Sequence, residues 1–171
     1  MPPRAELFRK RSVGGTKDAA LVGHENCKHS GADRLGESSQ RALALAVDLA
    51  KKFDAKLTLV HGFEVPGYAY AGLGTTTVDF LVPMEDAAHE CLEDALVVLK
   101  TKLPGSVALF KTGGPWQQIL LASEETGADL VVMGTHGRQG LSHALIGSVA
   151  ERVVRLSPVP VLTVREPRLT K

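Results

Sequence analysis

Between Gly134 and Glu151 the chain reads GTHGRQGLSHALIGSVAE, with glycine at positions 134, 137, 140 and 147. His136, Arg138 and His143 are interleaved with these glycines. Glycine lets the main chain bend sharply or come close to another group. Bare amides beside cationic side chains suit the holding of a phosphate chain. Ser148-Val149-Ala150-Glu151 has the S-x-x-E form of a capping box, which predicts a helix starting at Ser148. Such a start offers unpaired N–H groups and about half a positive charge, a natural seat for an anion. A long turn followed by an ordinary capped helix is the alternative, and the glycines alone do not decide between them. Neither G-x4-G-K-[ST] nor G-x-G-x-x-G occurs in the chain.

Other candidates carry less chemistry. His24, Cys27 and His29 have a spacing that a metal could use, but no fourth ligand stands at a fixed distance from them. They read as loop polar residues. His61 falls at a strand end and reads as a buried, hydrogen-bonded imidazole. His89 and Cys91 are two apart on a helix and do not share a face. Asp48, Glu124 and Glu125 read as solvated helix surface, and Trp116 as a partly buried anchor. No Ser/His/Asp or Cys/His set is suggested by local sequence.

These residues must be positioned by elements, and from residue 39 onward helices and strands alternate. Ser39 to Phe53 places Ala42, Leu45, Ala46, Leu49 and Phe53 on one stripe, with Ser38 or Ser39 as cap. A strand is expected over 55–63, a Gly/Thr-rich loop over 66–77 and a helix over 85–103. VALFKTGG gives a strand and turn. Pro115 opens a helix that Gly127 closes. ADLVVMG (128–134) and PVPVLTVR (158–165) are further strands, and Pro160 marks the last as an edge strand. AALVG (19–23) is the candidate first strand. This alternation predicts an α/β fold, a parallel sheet with helices on both faces.

Length and composition bound the rest. A chain of 171 residues that is 44% hydrophobic can build one full core. Residues 18–167 are read as a single domain, its stretch 18–36 the least regular. Residues 1–17 form a disordered basic tail, and 168–171 a short second tail. A net charge of +1 sets up no field that would recruit nucleic acid or acidic lipid. No apolar run approaches the roughly 20 residues of a membrane span. The two cysteines, Cys27 and Cys91, lack paired spacing, which fits reduced thiols and a cytoplasmic location.

Gly134-x2-Gly137-x9-Gly147-Ser148 resembles the G-x2-G-x9-G-[ST] signature of the nucleotide-binding branch of the universal stress proteins. DLVVMGTHGR, SVAERVVRLSPVPVLTVR and ESSQRALALAVDLAKKFDAKLTLVH carry the likeness over roughly residues 37 to 165. The resemblance implies a five-stranded parallel sheet of order 3-2-1-4-5, of the adenine nucleotide alpha hydrolase-like kind, dimerising through the last strand. It implies that Met133, Gly134, Thr135, His136, Gly137 and Arg138 wrap the ribose and phosphates. Gly147, Ser148 and Val149 would give main-chain donors to the phosphates, and Gly62 a backbone contact to adenine. The family's adenine-side Asp would fall five residues before Ser39, at Arg34; Asp33, one position away, is the candidate. The implied ligand is ATP, with Mg²⁺ bridging its phosphates, in a stress-response regulator with at most slow hydrolysis. A dimeric interaction module without nucleotide, or a slow ATPase or self-phosphorylating enzyme, are the alternatives.

Overall fold

A computed structural model describes residues 21–24, 36–65, 76–135 and 146–165. The tails and the connection that holds Asp33, Cys27 and His29 lie outside the described residues, as do His136, Gly137, Arg138 and His143. Five strands make one sheet: β1 (Leu21–His24), β2 (Thr58–Phe63), β3 (Val107–Thr112), β4 (Val131–Gly134) and β5 (Val161–Val164). Their order is β3-β2-β1-β4-β5 and all neighbours run parallel. Four helices cross between strands: α1 (Glu37–Phe53), α2 (Thr76–Lys102), α3 (Pro115–Thr126) and α4 (Ser148–Leu156).

The sheet is covered on both faces because its inner strands alternate two apolar sets. Leu57, Leu59 and Val132 pack under α1 and α2 with Ala46, Leu92 and Leu99. Val60, Val131 and Met133 pack under α3 and α4 with Ile119, Ala122 and Val153. Side chains two apart on a strand share a face, so a continuous apolar run serves both layers.

Helix α1 buries a different stripe from the expected one. Ala42, Ala46, Val47 and Ala50 face the sheet, whereas Leu45 is 36% exposed and Phe53 56% exposed. Alanines let the helix axis approach the sheet closely; Leu49 of the expected stripe still packs against the core, whereas Leu45 and Phe53 are turned away. The helix also begins two residues early, with Gly36 as its N-cap and no side-chain cap bond. Ser38 and Ser39, expected as caps, are instead buried in its first turn.

Other boundaries shift for local reasons. α2 starts at Thr76 rather than Glu85 and continues through Pro83. Proline removes one helical hydrogen bond but does not prevent the chain from continuing as a helix. α3 spans Pro115–Thr126, with Gly127 in the left-handed conformation at φ 67°. β5 lies at the sheet edge, but Pro160 precedes it; the Pro160 carbonyl accepts the Val131 N–H at 3.0 Å. Cys91 is buried on α2 and is disulfide-bonded, which corrects the expectation of reduced thiols. Among the described residues, no helix is long and apolar enough to cross a membrane.

Candidate functional site

The carboxyl ends of the strands receive the first turns of α1, α3 and α4. These three helices share an N-terminal feature that the capping-residue reading missed: each N-cap is glycine, at positions 36, 114 and 147, and none makes a side-chain cap bond. Glycine is a tolerated N-cap, but it brings no oxygen to the first-turn amides. Polar groups of a ligand can therefore take that place. A glycine directly before each helix start was the available signal.

The glycine-bearing stretch is anchored at both ends. Thr135, directly after β4, donates its N–H to the Val164 carbonyl of β5 at 3.0 Å. Its own carbonyl accepts the Gly147 N–H at 2.7 Å. α4 therefore starts beside the end of β4. The Thr135 side chain is 1% exposed and its hydroxyl lies 3.4 Å from the Val164 carbonyl. Thr135 thus ties the end of β4 both to β5 and to the start of α4.

The first turn of α4 differs from the capping-box expectation. Gly147 is the N-cap, with φ −60° and ψ 151°, and Ser148 is the first helical residue. Glu151, whose N–H bonds the Gly147 carbonyl at 2.9 Å, is one place too far along to complete a box. The main-chain donor expected at Gly147 is already engaged with Thr135, and that assignment is corrected. The amides of Ser148, Val149 and Ala150 have no carbonyl or side-chain partner among the described residues. As the first three helical positions they have no intrahelical acceptor either. Ser148 is exposed, Val149 half-buried and Ala150 buried, so this row of donors opens to solvent at its Ser148 end.

Gly134 and Gly62 each leave room for a neighbouring helix on the side where a Cβ would stand. At Gly134 an added Cβ would stand 2.7 Å from the Ser38 hydroxyl and 3.0 Å from the Ser38 carbonyl carbon. The close approach there is made by α1. At Gly62 an added Cβ would stand 2.7 Å from Pro115 Cα, so the start of α3 fills the place of a side chain. Met133 is fully buried. Met133, Gly134, Thr135, Gly147, Ser148 and Val149 come together at the end of β4. Gly62 stands two strands away, across β1.

The remaining candidates fall into structural roles. His61 is buried and tilted against Phe110, with ring centroids 5.5 Å apart. His89, exposed on α2, stacks on the same ring at 3.6 Å. Trp116 in the first turn of α3 packs into the α3–α4 layer, and the Arg152 guanidinium sits 5.6 Å from its ring centre. Lys111 pairs with Glu125 at 2.6 Å. Among the described residues, no group of three or more His, Cys, Asp and Glu could hold a metal.

The model of the universal stress protein family matches residues 31–165. A universal stress protein of Methanocaldococcus jannaschii is 31% identical over 134 residues, covering 76% of each chain. The chain belongs to the universal stress protein family. Its fold is that of the universal stress protein UspA of Lactobacillus plantarum, with TM-score 0.70 at 20% identity over 88% of this chain and all of that one. A universal stress protein of Archaeoglobus fulgidus solved in complex with dAMP superposes with TM-score 0.59 at 18% identity, over 88% of this chain and 99% of that one.

Proposed function

We propose that this universal stress protein binds ATP, its phosphates seated on the first turn of α4. The observation that carries this reading is the row of Ser148, Val149 and Ala150 amides left without an internal acceptor beyond a glycine N-cap. The helix dipole adds a favourable field at the same place. The Ser148 hydroxyl supplies a further donor. His136, Gly137 and Arg138 on the loop pinned at Thr135, and Asp33 on the adenine side, complete the site, and Gly62 meets adenine through its backbone. Mg²⁺ accompanying the nucleotide would neutralise phosphate charge. The relative solved with dAMP supports an adenine nucleotide in this fold. As a cytoplasmic sensor or regulator of stress responses, the protein hydrolyses ATP slowly at most.

Ser148→Pro tests the seat without disturbing the helix. Proline is favoured at the first helical position, and the extended conformation of Gly147 is one that a residue before proline adopts. The variant loses one N–H and one hydroxyl. A hydrogen bond to a charged group contributes about 1.5–3 kcal/mol. ATP affinity by calorimetry should therefore fall about tenfold or more, with far-UV circular dichroism unchanged. Equal affinities in the two proteins would remove the proposal.

The same reading has two copies pairing through β5, whose outer edge has no neighbouring strand within the described sheet. Leu162 on that strand is 37% exposed. Leu162→Lys should convert a dimer to a monomer in sedimentation equilibrium. A variant that sediments like the wild type rules out this interface.

A further inference from the structure

α1 and α2 cover the same face of the sheet, yet a groove of about 520 Å³ runs between them. Leu43 and Val47 line one wall, and Ala95, Val98 and Leu99 the other. Val98 is 57% exposed. Apolar surface left in water forgoes roughly 25 cal/mol per Å² that a cover would recover.

Connectivity and charge both point to the cover. β1 is the middle strand, and Leu21 at its start is level with Thr58 and Val131, the first residues of β2 and β4. α1 and α2 end at that same edge of the sheet, where they lead into β2 and β3. The twenty residues before Leu21 therefore join the fold at the lower mouth of the groove. From Lys102 up to Glu90, α2 rises about 18 Å. Arg11 is ten residues ahead of Leu21, a reach of up to about 33 Å. The α2 stretch from Glu85 to Asp94 holds five carboxylates and no Lys or Arg. Residues 1–20 hold Arg4, Arg9, Lys10, Arg11 and Lys17 against Glu6 and Asp18, with Leu7 and Phe8 among them.

We propose that residues 4–11 of this chain dock in the α1–α2 groove. Leu7 and Phe8 fill the apolar stretch between Val47 and Val98, and the run Arg9 to Arg11 faces Glu90 and Asp94. The groove and the first turn of α4 lie on opposite faces of the sheet. Docking therefore does not depend on the nucleotide.

Hydrogen exchange on the full chain tests this against the double variant Leu7→Ser/Phe8→Ser. Amides of residues 40–47 and 91–102 should exchange at least threefold faster in the variant, with those of α4 unchanged. A zero-length carbodiimide cross-link from Lys10 to Glu90 or Asp94 should form within one chain and be lost in the variant. Val98→Glu, which alters the groove and leaves the segment intact, should also abolish the cross-link. Equal exchange in wild type and double variant overturns the proposal. A cross-link that fades on dilution overturns it too, because the groove would then be filled by a second copy.

Discussion

Gly62→Ala is expected to lower the thermal midpoint by several degrees. The added methyl would stand 2.7 Å from Pro115 Cα, well inside the 3.5–4.0 Å of a favourable carbon contact. That neighbour is backbone, held by a proline ring at the first position of α3, and cannot rotate away. Gln118 Cβ at 3.5 Å closes another direction. Overpacking of this kind costs about 1–3 kcal/mol. Part of the cost is offset, since replacing glycine removes about 0.4–1 kcal/mol of unfolded-state entropy. A net loss of about 1–2 kcal/mol corresponds to a midpoint drop of about 2–8 °C for a chain of this size. Gly105→Ala is the matched control, because nothing lies within 4 Å of its added Cβ. That control should stay within about 0.5 kcal/mol of wild type. If Gly62→Ala melts with the wild type and instead loses ATP, the glycine serves the ligand rather than the start of α3.

Gly62 also shows what a sequence can and cannot disclose. The α/β alternation was legible because each element carries its own period or punctuation. Pro115 and Gly127 bracket α3, and the run at 131–134 is too uniform for a surface strand. The signature glycines were legible as places of close approach, but their neighbours were not. Gly134 meets Ser38 and Gly62 meets Pro115, contacts between segments about 50 to 100 residues apart that only the crossovers create. The stripe of α1 was misread for a related reason. Hydrophobicity favours Leu45 and Phe53, whereas the sheet beneath accepts only small side chains at Ala42, Ala46 and Ala50. The capping box failed by one position, since Gly147 can serve as an N-cap and Thr135 holds its amide. A one-residue shift is small in the fold and decisive in the site: it leaves the donors of α4 without an internal partner.

That shift makes Gly147→Asp the sharpest test, because stability and binding should move in opposite directions. The backbone at position 147, φ −60° and ψ 151°, is open to any residue. Aspartate there supplies the missing cap oxygen to the first-turn amides and places a negative charge at the positive end of α4. Asp exceeds glycine as an N-cap by a few tenths of a kcal/mol, and the dipole contributes about 0.3–1 kcal/mol more. Denaturant unfolding should therefore show a gain of about 0.5–1 kcal/mol. The same carboxylate would occupy the seat of a phosphate and repel it. Two like charges about 4 Å apart near a protein surface oppose each other by about 4 kcal/mol. ATP affinity should fall at least a hundredfold. A variant stabilised in this way that still binds ATP as tightly as the wild type would show that the phosphates lie elsewhere. A variant that loses both stability and binding would show only that position 147 tolerates no side chain, and Ser148→Pro then decides the location of the seat. The opposed outcome, a firmer helix with an empty site, is the one that an uncapped α4 requires, since the same amides cannot serve a carboxylate of the chain and a phosphate at once.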